Sequence, residues 1–259
     1  MKRRLALGAI AACLLAGVPA RASAAEIHVM ISGGLTAAYR ALADGFEREA
    51  GHRLLTVYGA SMGTTATAIP VRLGRGEQAD VIIVARKALD ALVDSGKVRR
   101  GSETDLARSP IGMAVRAGTA VPDIRTVEGL RRTLLAARSI AYSDSASGVY
   151  VSTELFQLLG IEQVAAKARR IDGTPVAEIV ARGEAEIGFQ QMSELLPVKG
   201  VTVVGTIPDA VQRITVFSAG IAASSANAAA GRELIDYLSS RQAWRAMRES
   251  GVDPIERTR

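Results

Sequence analysis

Residues 26–31, EIHVMI, followed by SGG at residues 32–34 and then by a helical pattern, decide the fold of this chain. The first six residues are typical of a buried β-strand, and the glycines end it. Apolar side chains then recur at intervals of four, three and four residues, the spacing of one helical face: Leu35, Tyr39, Leu42 and Phe46. The segment therefore predicts a strand, a polar turn and an amphipathic helix.

The same alternation continues along the chain. Further strands are predicted at residues 54–58, 80–85, 139–143, 186–189, 201–204 and 214–221, and further helices at about 65–73, 88–95, 149–159, 176–182, 226–239 and 242–250. Alternating strands and helices favour mostly parallel sheets flanked by helices. The α/β pattern runs twice, so we expect two lobes with a ligand cleft between them: residues 25–108 and 218–259 in lobe 1, and residues 109–217 in lobe 2.

The first 24 residues are predicted to be a secretory signal, cleaved near Ala24. They carry four basic residues and no acidic one, so their removal lowers the formal net charge of +6 by four, to about +2. The only cysteine, Cys13, lies in this segment; acylation there is an alternative that the short preceding apolar run disfavours. We expect an exported, nearly neutral and cysteine-free protein that is located in the periplasm and does not bind nucleic acid.

Three turns between a strand and a helix combine a hydroxyl with glycine. They are Ser32-Gly33-Gly34, Ser61-Met62-Gly63-Thr64 and Ala146-Ser147-Gly148. The first turn of a helix has unpaired N–H groups and a partial positive charge, and glycine lets a ligand approach the backbone. Serine and glycine are also ordinary residues at helix starts. Three such turns in one chain predict an anion site without lysine.

Other chemistries find little support. Residues 59–63 match the Gly-x-Ser-x-Gly motif of hydrolases, but that mechanism needs a histidine later in the chain, and both histidines, His28 and His52, precede Ser61. Neither histidine belongs to a metal-binding pattern, and the chain has no phosphate-binding Gly-Lys loop. We therefore expect no metal and no cofactor.

The chain resembles the periplasmic substrate-binding proteins of molybdate ABC transporters, which are class II periplasmic binding proteins. The stretches that carry the resemblance are residues 27–35, 58–64, 76–81 and 147–150. The resemblance implies a monomer of two α/β lobes that captures a small anion in the cleft and delivers it to an inner-membrane permease. It also implies ligand contacts from Ser32, from Ser61 and from the N–H of Ser147, with a further contact near Thr174.

Two positions depart from the molybdate-type pattern. Gln191 stands near the position of a tyrosine, and Arg86 follows the third strand where those proteins have an acidic residue. An arginine can bind a carboxylate through two hydrogen bonds, so both changes favour a larger or more negative ligand, such as an organic polycarboxylate; Arg86 can equally be a solvated surface cation. The predicted ligand-binding residues are Ser32, Gly33, Ser61, Met62, Arg86, Ser147, Gly148, Thr174 and Gln191.

An enzymatic alternative remains open, because periplasmic aconitate isomerase is similar in size and fold to the molybdate-type proteins. That reaction moves a proton along an allylic tricarboxylate, and it needs carboxylate-binding groups and one acid–base group beside carbon. The chain offers four candidates for that group, and the sequence does not choose among them: Tyr150, Glu194, Asp144 and His28. Capture of an anion is the main expectation from the sequence.

Overall fold

The computed structural model describes residues 24–256. The predicted signal segment, apart from Ala24, and Cys13 lie outside the described residues. No described helix is long and apolar enough to span a membrane.

Eleven strands and ten α-helices make up the described chain. The strands are β1 (Glu26–Ser32), β2 (Arg53–Gly59), β3 (Val81–Ala85), β4 (Thr104–Ser109), β5 (Ile111–Arg116), β6 (Ile140–Ser143), β7 (Ala168–Ile171), β8 (Ile187–Gln191), β9 (Val201–Thr206), β10 (Thr215–Ile221) and β11 (Asp253–Pro254). The helices are α1 (Gly33–Ala50), α2 (Ile69–Gly74), α3 (Arg86–Asp94), α4 (Val127–Ala136), α5 (Ala146–Tyr150), α6 (Phe156–Leu158), α7 (Val176–Ala181), α8 (Met192–Leu195), α9 (Ala228–Leu238) and α10 (Trp244–Glu249).

The strands form two separate sheets, and the predicted two-lobe α/β fold is confirmed. The first sheet has the order β11-β4-β10-β3-β1-β2, and the second has the order β7-β6-β8-β5-β9. Both sheets are mixed and not mostly parallel as the pattern predicted, because β10 runs antiparallel to β3 and β4, and β5 runs antiparallel to β8 and β9. The strands β1, β2 and β3 are parallel, as are β6, β7 and β8. The sequence pattern did not predict β4, β5, β7, β11, α4 or α8.

Each sheet has its own apolar core. The helical face predicted on α1 is buried against β1 and β3, with Leu35, Tyr39, Leu42 and Phe46 at most 6% exposed. In the second lobe, residues of α4, of the helix after β6 and of β8 form an equivalent cluster around Leu130, Leu155 and Phe189. Burial of these side chains provides most of the driving force that holds the strand ends, and therefore the turns that follow them, in place.

The chain passes between the two sheets twice. The first passage is at Pro110, between β4 and β5, and the second lies between β9 and β10. The lobe boundaries expected after residues 108 and 217 stay a proposal. In the first lobe, β4 ends at Ser109 before the first passage, and β10 begins at Thr215 after the second.

The helix predicted at 149–159 is one helical segment from Ala146 to Leu158 that contains a π-helical turn at Val151–Leu155. Such wide turns occur often at functional sites. Here the turn follows directly on α5, whose first residues face the cleft between the lobes.

Candidate functional site

The serine turns of the first lobe meet at the carboxyl end of its sheet. Ser61 is fully buried, and its hydroxyl accepts a hydrogen bond from the Ala85 N–H at 2.9 Å and donates one to Ser32 Oγ at 2.7 Å. Because a hydroxyl has one hydrogen, this arrangement leaves the hydrogen of Ser32 available to another acceptor. The relay thus presents a polarised donor beside the first turn of α1.

The start of α1 lacks a side-chain cap from the residue that precedes it. Ser32 precedes the helix, but its side chain makes no capping hydrogen bond to it. The N–H groups of the first turn are therefore not occupied by the usual serine cap, and they carry the partial positive charge of the helix terminus.

The second lobe contributes a matching turn between β6 and α5. Ser143 Oγ and Ser147 Oγ lie 3.1 Å apart, and the Ser61 N–H donates to Ser145 Oγ across the cleft at 3.3 Å. Gly148 is required here, since a Cβ atom at this position would overlap the Ser143 carbonyl oxygen. The two lobes are therefore joined by serine contacts at the place where the sequence predicted an anion site.

Glu194 of α8 enters the same region from the second lobe. A Cβ atom at Gly33 would overlap its carboxyl oxygen Oε1, and the neighbouring Ser193 hydroxyl donates to the Gly34 carbonyl oxygen at 2.7 Å. Burial raises the pKa of Glu194 to about 7, against the opposing effect of hydrogen bonds from Gln190 and from the Gln191 backbone. The carboxyl group can therefore carry or release a proton near neutral pH.

Gln190, which no sequence pattern marks as a site residue, orients Glu194. Its Oε1 accepts the Val176 N–H at 2.9 Å, and its Nε2 donates to Glu194 Oε1 at 2.9 Å. Gln191 has a different role. Its amide nitrogen faces the carbonyl oxygens of Ser109 and Pro110, and its amide oxygen accepts a hydrogen bond from the Thr215 hydroxyl. Gln191 therefore links β8 to both passages between the lobes.

Asp144 lies beside the serine turns on the second lobe. It accepts the Gly173 N–H at 3.3 Å, in the loop that also contains Thr174. Burial raises the pKa of Asp144 above its ordinary value, and the charge of Asp172 adds to the effect. Its backbone oxygen approaches Gly63 of the first lobe, so this acid also lies at the junction of the lobes.

A cavity of about 670 Å³ opens next to these turns. Both lobes line it, with Ser61, Met62 and Arg86 on one side and Ala146 and Tyr150 on the other. A second cavity of about 540 Å³ also contains Met62, together with Gly148 and Asp144. Spaces of this size hold small organic ligands.

Arg86 lines the larger cavity but already has two acidic partners. Its guanidinium donates to Asp90 at 2.7 Å and to Asp105 at 2.9 Å, and these carboxylates raise its pKa. Arg213, at the same cavity, is likewise paired with Glu154. Both arginines therefore enter the cavity wall as members of ion pairs.

Two of the four acid–base candidates lie in unfavourable positions. The Tyr150 hydroxyl donates to the Val211 carbonyl oxygen at 2.5 Å, and burial raises its pKa. His28 is in β1, four residues before Ser32, or roughly 13 Å at about 3.3 Å per residue. Tyr150 lines the cavity but its hydroxyl is occupied, so Glu194 and Asp144 are the candidates that remain at the junction of the lobes. Among residues 24–256, no group of His, Cys, Asp and Glu side chains could hold a metal ion.

Proteins of known function and known structure are similar to this chain over most of its length. The protein is 44% identical to an aconitate isomerase of a Pseudomonas species over 254 residues, covering 97% of this chain and 96% of that protein. It is 24% identical to the molybdate-binding protein ModA of Azotobacter vinelandii, covering 89% of this chain and 90% of that protein. The solved structure of the periplasmic molybdate-binding protein of the same organism superimposes with a TM-score of 0.69 at 19% identity, covering 90% of this chain and 100% of that one.

These similarities confirm the resemblance inferred from the serine turns. A family model described as bacterial extracellular solute-binding protein matches residues 27–253, which is nearly all of the described chain. The chain belongs to the bacterial extracellular solute-binding protein family.

Proposed function

We propose that this protein is an aconitate isomerase, which binds the tricarboxylate in the cleft between its lobes and interconverts the trans and cis isomers without a cofactor. The observation that carries the proposal is the 44% identity to an aconitate isomerase over almost the whole of both chains, against 24% to a molybdate-binding protein. Identity that extends over both lobes supports a shared cleft as well as a shared fold.

The chemistry of the cleft supports a polycarboxylate ligand. Ser32 has a hydroxyl hydrogen to donate, and the first turns of α1 and α5 have no side-chain cap. Hydroxyl and N–H donors bind carboxylate oxygens and stabilise the negative charge that develops when a proton leaves the neighbouring carbon. The reaction moves one proton and one double bond within the substrate and oxidises nothing, so acidic and hydrogen-bonding side chains suffice.

Turnover of trans-aconitate tests the proposal directly. We expect purified protein without added metal or cofactor to convert trans-aconitate to the cis isomer and cis-aconitate to the trans isomer. Reactions started from either isomer should reach the same ratio of trans- to cis-aconitate in proton NMR spectra. Absence of conversion at enzyme concentrations equal to that of the substrate contradicts the proposal.

Capture of a small anion for an ABC permease is the second candidate, and the two-lobe solute-binding fold is the observation that favours it. This function predicts binding without turnover. Calorimetry with molybdate, tungstate, sulfate, phosphate, citrate and aconitate, together with the NMR assay, separates the two, because a transport receptor binds its ligand and returns it unchanged. The same proposal includes export of a monomer to the periplasm and cleavage of the chain near Ala24. The mass of the exported protein would test the cleavage site.

A further inference from the structure

The acid–base group of the proposed isomerase can be identified from the contacts of α8. Glu194 reaches across from the second lobe, and its carboxyl group lies against Gly33, the first residue of α1 in the first lobe. Ser32, whose hydroxyl has a hydrogen to donate, is the adjacent residue. The carboxyl group therefore lies beside the donors that would hold a carboxylate of the substrate.

The orientation of this carboxyl group is fixed by an amide. The Val176 N–H occupies Gln190 Oε1, so the Nε2 end of the amide faces Glu194 and donates to its Oε1. Gln190 is itself only 5% exposed, and its position between the two partners holds one carboxyl oxygen in place. A positioned base of this kind transfers protons more effectively than a mobile one.

A purely structural role for Glu194 also has to be considered. Glu194 is the third residue of α8, and the backbone N–H of Gln191, at the helix start, stabilises its charged form. Glutamate and glutamine both serve at this position of a helix. A capping role therefore predicts that glutamine replaces Glu194 without loss, whereas proton transfer needs the carboxyl group.

We propose that Glu194 is the catalytic acid–base residue of the allylic proton shift and that Gln190 is the residue that positions it; this inference rests on the proposed function. The Glu194 carboxylate takes a proton from the methylene carbon of aconitate, and the electrons of that C–H bond form the new double bond. The resulting carboxylic acid returns the proton to the former vinylic carbon, whose double bond has moved. One C–H bond breaks and one forms, and the enzyme ends in its starting state.

The pH dependence follows from this order of steps. The first step requires the ionised carboxyl group, so kcat/KM rises with pH as free Glu194 loses its proton, around pH 7. The hydrogen bond from Gln190 lowers that pKa, so its removal shifts the midpoint of the profile to higher pH, whereas the charge of Asp144 raises the pKa, so Asp144→Asn shifts the midpoint to lower pH. A residue that only held the fold together would leave the midpoint unchanged.

The decisive experiment compares four variants with the wild-type protein: Glu194→Gln, Glu194→Asp, Gln190→Ala and Asp144→Asn. We expect Glu194→Gln to bind trans-aconitate within about tenfold of wild type by calorimetry while kcat falls by about 100- to 10,000-fold. We expect Glu194→Asp to retain part of that activity, and Gln190→Ala to lower kcat with a higher pH midpoint. Asp144→Asn tests the other acid at the junction of the lobes.

The outcomes separate the two proposals. An inactive wild-type protein overturns the proposed function and, with it, this inference. An active wild type whose Glu194→Gln variant keeps kcat within tenfold overturns the role of Glu194 alone, and a loss confined to Asp144→Asn assigns the proton transfer to Asp144. A midpoint unchanged in Gln190→Ala overturns the positioning role of Gln190.

Discussion

Replacement of Glu194 by glutamine should stabilise the protein at alkaline pH. Burial raises the pKa of this carboxyl group from 4.5 to about 7. Between pH 4.5 and pH 7 the folded protein therefore keeps a proton that the unfolded chain has released. The free energy of unfolding therefore falls as the pH rises from about 4.5 to 7, and above pH 7 the whole destabilisation by the buried charge is present. Glutamine imitates the neutral carboxyl group at every pH and does not incur that cost.

The size of the effect follows from the pKa difference. The two pKa values differ by about 2.5, and at about 1.4 kcal/mol for a difference of one this corresponds to an upper limit of about 3.5 kcal/mol. For a protein of this size, each kcal/mol raises the melting temperature by about 2–4 °C. We expect the variant to melt up to about 7–14 °C above wild type at pH 8, and close to wild type at pH 4.5.

Urea unfolding and thermal melts of both proteins between pH 4.5 and pH 8 measure this difference. Glu162→Gln is a matched control, because Glu162 is an exposed carboxylate on the second lobe, and its replacement should change the free energy of unfolding by no more than about 0.5 kcal/mol. If wild type and Glu194→Gln keep a constant stability difference across this pH range, Glu194 does not titrate as a buried carboxyl group and the reasoning fails.

Three further substitutions test the cleft. Ser61→Ala leaves the buried Ala85 N–H without its partner, and we expect a loss of about 1–3 kcal/mol in unfolding free energy and weaker aconitate binding by calorimetry; unchanged values would remove this hydroxyl from the site. Gly33→Ala should displace the carboxyl group that overlaps the new methyl, so kcat should fall at least tenfold while far-UV circular dichroism stays that of wild type. Gly148→Ala forces a methyl into a backbone carbonyl and should lower the yield of folded protein sharply, whereas Gly74→Ala, with open space around it, should fold normally.

The sequence predicted the parts of the site that depend on local pattern. Ser32, Ser61 and Ser147 each follow an apolar strand, and the structure brings these three turns to the junction of the lobes. Periodicity and turn composition suffice for such features, because the carboxyl ends of parallel strands meet at one edge of a sheet.

The environment of Arg86 could not be predicted in the same way. Asp90 is one helical turn away and visible in the sequence, but Asp105 belongs to β4, whose sequence TDLARS lacks a clear strand pattern. Since β4 was not predicted, neither was the second carboxylate beside Arg86. The expectation of a carboxylate-binding arginine therefore left out the acidic partners that the fold supplies.

Glu194 shows the same limit for a catalytic candidate. In the sequence it is one of four acid–base candidates, with nothing local to distinguish it from an ordinary helix-start glutamate. Its raised pKa comes from burial where α8 meets α1, and its orientation comes from Gln190. The contact with α1 depends on how the two lobes meet, which residue periodicity does not report, whereas the contact with Gln190 lies within the second lobe.

A buried carboxyl group in an anion site has a consequence for function. A passive receptor for an anion benefits from donors such as the Ser32 hydroxyl, whereas an ionised glutamate beside the ligand repels it. Binding of the anion favours the protonated form, whereas removal of the substrate's proton needs the ionised form, and the raised pKa of Glu194 keeps both forms accessible near pH 7. A bound trianion stabilises the proton further, so binding at pH 8 should take up protons, measurable by calorimetry in buffers of different ionisation enthalpy. Uptake that disappears in Glu194→Gln would assign the proton to this residue, and unchanged uptake would assign it elsewhere. A receptor that only captures anions has no need of such a group, whereas a proton-shifting enzyme requires one.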